Sequence, residues 1–373
     1  MRLENSLEFD PSAESDPFFE QFERRPGVFA LFADLTSTAP YIGRSHDLQR
    51  RLRRILRKPE GNSRFLNLRE ITRRIEYQYA GSGFEMHWLL YQLNHDYYPR
   101  EYRARLRLKA PAMLKLNLRN RFPRLYPTRR ILSDGSLYYG PFPSRSGAER
   151  FAGEFLDLFK IRRCVEELVP DPAHPGCIYS QMRMCLAPCF QGCTDEEYHK
   201  EVQRVIELLD TEGQSLTRSL QADRDQASES LDFEYAAELH RRGGKVHTAL
   251  ALKPEPVRNV NHLHAVLVLP GAQPQALCFF LMCAGKLHGP GYLELGENVS
   301  SPLSLDERFR LLFDGLLSQG DNLPGASWEH LALFARWYYS SFRQGELLML
   351  SSPSQIPYAR LIRICRKIVS PAS

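Results

Sequence analysis

The apolar pattern begins late in the chain. Residues 1–24 show no sustained period and are expected to form a loose arm. Gly27–Phe32 is a short apolar run after Pro26 and reads as a strand, a turn is expected over 36–40, and Tyr41-Ile42-Gly43 reads as a second strand. Asp47 is placed to cap a helix reaching about Arg57, with Leu48, Leu52, Ile55 and Leu56 at helical spacing on its buried stripe. Residues 74–79 read as a third strand, and residues 84–96 as a second helix that ends before Pro99. The first hundred residues thus predict β-β-α-β-α, a small α/β module.

Residues 100–140 are basic and strand-like, and Asp134-Gly135 between Ile131-Leu132 and Leu137-Tyr138-Tyr139 predicts a hairpin. A helix is expected from Ala148 to about Ile161. Thr194 with Glu197 three residues later is a capping box that opens a long polar helix. A second helix is expected near 222–242, ended by Gly243-Gly244. After Pro254 and Pro256 come paired strands at 262–269 and 276–282, then helical stretches near 304–318, 327–342 and 356–368, with Trp337-Tyr338-Tyr339 read as core. The expected fold class is α+β and multidomain: an arm (1–24), an α/β module (25–103), basic strands with a cysteine-rich segment (104–193), an α-helical hairpin (194–250) and a C-terminal α/β region (255–373).

Composition adds limits. Hydrophobic residues make up 43% of the chain and charged residues 25%, an ordinary globular balance. No apolar run is long enough to span a membrane. The polar start lacks the basic and apolar regions of a secretory signal, so a cytoplasmic protein is expected. The net charge of +5 is modest but unevenly placed. Arginine and lysine crowd residues 44–58 and 100–130, a local basic surface of the kind phosphate binding needs. Arg50, Arg53, Arg54, Arg57, Lys58, Arg103 and Arg105 are the candidate DNA contacts, and a solvated helix face is the alternative. Phe122, Tyr126, Tyr138 and Tyr139, interleaved with the second cluster, suit base stacking.

The strongest chemical signal is Cys164, Cys177, Cys185 and Cys189, spaced C-x12-C-x7-C-x3-C. Thiolates at such mixed spacings can wrap one inorganic centre, either an iron–sulfur cluster or tetrahedral zinc. Cys193 is an extra or alternative ligand. Cys278, Cys283 and Cys365 lie among apolar residues and read as small buried hydrophobes.

Several stretches resemble one family in order. Gly27-Val28-Phe29 and Tyr41-Ile42-Gly43, followed by Arg44 and Arg51, resemble the GIY-YIG nuclease core. Leu137-Tyr138-Tyr139-Gly140-Pro141-Phe142 is similar to the element that follows that core in the UvrC excinuclease family. The cysteine spacing, with Arg183-Met184-Cys185-Leu186-Ala187-Pro188-Cys189 as its tightest part, resembles that family's iron–sulfur segment. Residues 231–239 resemble the UVR helix hairpin through which UvrC pairs with the helicase UvrB, with Phe233, Ala236, Ala237 and Leu239 as the contact residues. The resemblance runs over about residues 25–250. The carboxylate pattern of the family's second, RNase H-like nuclease is not found, so the chain reads as a half-size relative.

The resemblance implies DNA and a UvrB-like helicase as partners, no membrane, and a 4Fe-4S cluster on the four cysteines, with zinc as the alternative. It also implies a nuclease site of two tyrosines, an arginine and a metal-holding glutamate. Tyr41 and Arg51 match, and Arg44 stands where the family has lysine. Phe29 replaces the first tyrosine. Counting back from Pro99 places Leu90 at the glutamate and Tyr102 at a family asparagine. A hard divalent cation needs oxygen donors, so impaired nuclease activity is expected. Glu85 is the nearest carboxylate, but five residues turn a helix by roughly 500°, which aims it about 140° away from Leu90. The alternatives are an active single-incision endonuclease working with UvrB, and an iron–sulfur DNA-binding sensor.

Overall fold

A strand buried at all six positions must be covered on both faces and both edges, and this organises the first sheet. Its members are β1 (Asn5–Glu8), β2 (Gly27–Phe32), β3 (Tyr41–Ser45) and β4 (Arg74–Tyr79), ordered β1-β4-β2-β3 with every pair antiparallel. This computed structural model describes residues 2–12, 16–33, 39–58, 67–295, 302–318 and 327–369, so most of the turn expected over 36–40 lies outside the described residues. Alternation sends Phe29 and Leu31 to one face of the sheet, where the helix Leu48–Ile55 covers them with Leu48 and Leu52. Asp47 caps that helix, its carboxylate accepting from the Arg50 N–H at 2.8 Å. Val28, Ala30 and Phe32 face the other way, onto Met86, Leu89, Leu90 and Leu93 of the helix Gly83–Tyr97.

The N-terminal segment is not a loose arm. It supplies β1, and it buries Phe9, Phe19 and Phe22 in the first core. Its phenylalanines meet edge to face, Phe9 and Phe18 with centroids 5.2 Å apart. Phe18, Phe19 and Phe22 stand at helical spacing, but the helix there, Asp16–Phe19, is a single turn, too short for a period to show.

The chain forms two compact units, one of residues 1–109 with 264–373 and one of residues 110–263. The second unit holds the sheet of β5 (Ala112–Leu116), β6 (Leu125–Thr128), β7 (Leu137–Phe142) and β8 (Arg258–Asn259), ordered β6-β5-β7-β8. The hairpin expected at Asp134-Gly135 does not form between neighbouring strands. The fully buried β5 takes β6 and β7 on its two edges, and Asp134 instead pairs with Lys115 and accepts from the Ser136 N–H at 3.1 Å. The helix after β7 spans Arg145–Leu156, capped by Ser144. The capping box forms as expected: the Thr194 N–H donates to Glu197 at 2.9 Å and the Glu197 N–H to the Thr194 hydroxyl at 3.2 Å.

Three helices follow, Asp195–Asp210, Gln214–Glu229 and Phe233–Ala251. The last two pair as a hairpin that turns at Leu231, in the left-handed region at φ 59° and inside the helix expected near 222–242, and its second helix does not end at Gly243-Gly244 but runs on to Ala251. Asp232 supplies the cap, accepting from the Tyr235 N–H at 3.1 Å. Ala236, Leu239, Val246 and Ala249 continue one buried stripe straight past the glycine pair, so packing overrides its breaking tendency.

The first unit is completed by β9 (His264–Pro270), β10 (Ala276–Cys283), β11 (Lys286–Glu294) and β12 (Glu346–Leu350), ordered β11-β10-β9-β12, with β9 and β10 paired as the sequence predicts. Helices Leu305–Ser318 and Tyr358–Val369 cover it through Phe309, Phe313, Leu316, Leu361 and Cys365. Cys278 and Cys365 are buried, as expected for small hydrophobes, and Cys283 is half-buried. The helix Ser327–Tyr338 meets a second stripe of Gly83–Tyr97: Phe84 and Trp88 pack on Phe280, Phe84 also on Trp337, and Trp88 and Tyr91 on His330. One helix therefore serves two sheets.

Buried Glu329 ties this layer together. It accepts from the hydroxyls of Tyr91 and Tyr102, each at 2.8 Å, and from Arg103 Nε at 2.7 Å. Removing the carboxylate strands two buried hydroxyls. Glu329→Ala is expected to lower stability by about 2–4 kcal/mol, read as a lower urea midpoint, and an unchanged midpoint would contradict this assignment.

Candidate functional site

The two motif strands face each other in register, Phe29 opposite Gly43 and Leu31 opposite Tyr41. A Cβ at Gly43 would lie 2.5 Å from the Phe29 ring, and that ring is fully buried and has no room to swing. The glycine is thus a steric requirement of the phenylalanine. Tyr41 is 41% exposed, with its ring 6.2 Å from that of Phe29. Arg51, on the helix that covers this face, is half-buried, and its Nε is enclosed without a hydrogen-bond partner among the described residues.

Leu90 is on the other face. It is buried with Val28, Ala30 and Phe32 and borders Ile42. Glu85 is fully buried, and both of its oxygens are engaged: one accepts from the Tyr292 hydroxyl at 2.7 Å, the other from the Gly81 N–H at 2.8 Å. Burial raises its pKa, with the two hydrogen bonds opposing. Tyr102, at the expected asparagine, is spent on Glu329.

The expected DNA contacts divide. Arg50, Arg54, Arg57 and Lys58 are exposed, and among the described residues none of the four is ion-paired. Arg53 is half-buried on the same helix. Arg103 is committed to Glu329, and Arg105 pairs with Glu101 at 3.1 Å while lying over the Tyr98 ring at 3.6 Å. Those two therefore hold local structure. The stacking expectation is corrected too: Phe122, Tyr138 and Tyr139 are buried, and of the four only Tyr126 is partly open, with Arg124 over its ring at 4.2 Å.

The segment from Cys164 to Cys193 contains little regular structure, with Ala187 and Gln191 in the left-handed region flanking a single turn at Pro188–Phe190. Its five thiols are free and half-buried. The Cys185 thiol is pushed up to about 11, first by burial and then by Cys164, Cys189 and Cys177. Cys189 is raised by burial and by Cys177 and Cys164. Those four are electrostatic neighbours, whereas Cys193 is raised by burial and by Glu197, Asp195 and Cys189. Ala187 N–H donates to Cys185 Sγ at 3.3 Å, and Arg162 to Cys164 Sγ at 3.6 Å. Among the described residues no three His, Cys, Asp or Glu side chains stand in metal-coordinating geometry. The donor chemistry still suits a soft thiolate-bound centre, because shared burial and mutual repulsion make the thiolates costly without a cation beside them.

On the hairpin, Ala236 and Leu239 face inward. Phe233 is 65% exposed, Ala237 is exposed one turn later, and Leu231 is exposed beside them. Sequence reasoning missed a further group in the first unit, where Arg44 joins His46, His87, Arg336 and Arg343 around one cavity. No spacing rule links such distant positions.

Residues 112–208 match the family model of the UvrC/Cho excinuclease middle domain, which takes in β5 to β7, the cysteine segment and most of the capped helix. Over those residues the chain resembles the UvrC/Cho-type proteins. The UvrABC system protein C of Carboxydothermus hydrogenoformans is 29% identical over 286 residues, 74% of this chain and 46% of that protein. Those of Clostridium perfringens and Clostridium acetobutylicum are 28% and 23% identical, over 58% and 89% of this chain and 35% and 53% of their own lengths. The chain is a UvrC relative, and it spans about half the length, or less, of the curated relatives it matches. No solved structure matches it significantly. No described helix is long and apolar enough to cross a membrane.

Proposed function

We propose that the chain is a DNA-binding component of nucleotide excision repair whose GIY-YIG-like module holds DNA without cutting it. One observation supports this reading: Leu90, which the motif spacing sets at the metal-holding glutamate, is packed in an apolar cluster. Cleaving a phosphodiester builds negative charge that a metal and fixed cations must offset. Tyr41 and Arg51 remain to meet a phosphate, and the enclosed, unpartnered Arg51 Nε suits an anion. The exposed arginines of the helix Leu48–Ile55 and its continuation to Lys58 would follow the DNA backbone. Leu231, Phe233 and Ala237 form an apolar patch on the UVR-like hairpin that suits a UvrB-like partner.

Cys164, Cys177, Cys185 and Cys189 would hold a 4Fe-4S cluster, or zinc in its place, and the group would lock a segment that has little secondary structure of its own. The endonuclease alternative needs Glu85 as a metal ligand, and that carboxylate is already occupied by Tyr292 and Gly81.

Incision of UvrB-loaded, lesion-bearing duplex with Mg²⁺ or Mn²⁺ tests the reading. The chain is expected to bind and leave both strands whole. Cleavage that disappears in Tyr41→Phe would restore the enzyme. For the cysteines, anaerobically purified protein is expected to be brown and to lose its colour and metal in Cys177→Ser and Cys185→Ser but not in Cys193→Ser. Colourless protein with one zinc would replace the cluster by its alternative, and metal-free, folded protein would remove the centre altogether.

A further inference from the structure

A cavity of about 560 Å³ opens in the first unit where the end of β3, the start of the helix Gly83–Tyr97 and residues 333–344 meet. That volume lies within the range of about 300–1,000 Å³ that small-ligand pockets occupy. Arg44, His46, His87, Arg336 and Arg343 line it, and no carboxylate does among the described residues. Like charges gathered this way repel. Burial and then Arg44 lower the His87 pKa to about 4, with Arg336 and His46 adding to the effect, so His87 is neutral near pH 7. Burial and Arg44 likewise lower that of Arg336. Three guanidiniums sharing a concave wall without a counter-charge focus a positive potential that an anion would relieve.

The wall is also pre-arranged. Arg343 lies over the faces of Tyr338 and Trp337, at 4.7 and 5.6 Å from their centroids. The Gly83 N–H donates to the Gln344 side chain at 3.1 Å, and the Trp337 indole donates to the Gln344 carbonyl at 2.9 Å. Arg336 donates to the Arg107 carbonyl at 3.1 Å. Between these anchors Phe342 stands at the rim, 91% exposed, a bare aromatic face beside a cationic cavity. A free phosphate would use the cations and leave the ring idle. An unpaired nucleotide uses both, since bases stack on aromatic rings while arginines track the backbone.

We propose that this cavity takes one unpaired nucleotide of a DNA strand, with its phosphate on Arg44, His46 and Arg343 and its base stacked on Phe342. This rests on the chain being a DNA binder, but it assigns a site separate from the duplex-facing arginines at 50–58.

Fluorescence anisotropy with a short labelled oligothymidylate and with a blunt duplex, on the full chain, tests it. Phe342→Ala and Arg343→Ala are each expected to weaken oligothymidylate binding about fivefold or more, as loss of a stacking or phosphate contact does, and to leave duplex affinity within about twofold. Arg50→Ala with Arg54→Ala should do the reverse. Phe342 is solvent-facing, so matched thermal melts will show that the variant folds. Unchanged oligothymidylate binding in both pocket variants, with duplex binding intact, would overturn the pocket and spare the DNA-binding reading. Absence of duplex binding by the wild type would sink that reading instead. Displacement of the oligonucleotide by inorganic phosphate or an acidic peptide at equal concentration would show that an anion, not a nucleotide, is the occupant.

Discussion

The first unit depends on one helix having to satisfy two partners. Gly83–Tyr97 presents Met86, Leu89, Leu90 and Leu93 to the first sheet and Phe84, Trp88 and Tyr91 to the layer around Phe280 and His330. A helix covered on both sides reads as apolar nearly all round, and a charge on either stripe must be paired or neutralised. Glu85 and Glu329 are buried carboxylates of this layer, Glu85 accepting from the Tyr292 hydroxyl and the Gly81 N–H, and Glu329 from the Tyr91 and Tyr102 hydroxyls and Arg103. In that setting Leu90 is a packing residue.

The cations of the first unit are unevenly committed. Arg50, Arg54, Arg57 and Lys58 stay solvent-facing without an ion pair among the described residues, while Arg103 and Arg105, also exposed, are paired with Glu329 and Glu101. Arg44, at the family's lysine, points away from Tyr41 across the strand and into the cationic cavity. Such a distribution favours holding phosphates over activating water against them. In the second unit, burial and the neighbouring cysteines raise the Cys185 and Cys189 thiols, so they stay protonated near neutral pH.

Much of this was legible in the sequence because it is periodic or chemically punctuated. The motif strands, the Asp47 and Thr194 caps and the β9–β10 pair all follow from local rules. What escaped was non-local. Phe9, Phe18, Phe19 and Phe22 cluster at spacings no single element produces. Gly243-Gly244 reads as a stop but lies inside a helix whose buried stripe continues to Ala249. Arg103 reads as a free cation until Glu329, far along the chain, is placed beside it. Tyr138 and Tyr139 read as stacking platforms but are drawn into the second unit's sheet. The residues of the candidate nuclease site were identifiable by motif, whereas the cavity joining Arg44 to Arg343 was not.

The central claim is that no divalent cation is held beside Tyr41 and Arg51. Titration of the DNA-bound chain with Mn²⁺, followed by electron paramagnetic resonance, tests it most directly. The expected result is the spectrum of free Mn²⁺ with no saturable site in the first unit. One tightly held Mn²⁺ per chain, released by Glu85→Gln or Tyr41→Phe, would contradict it.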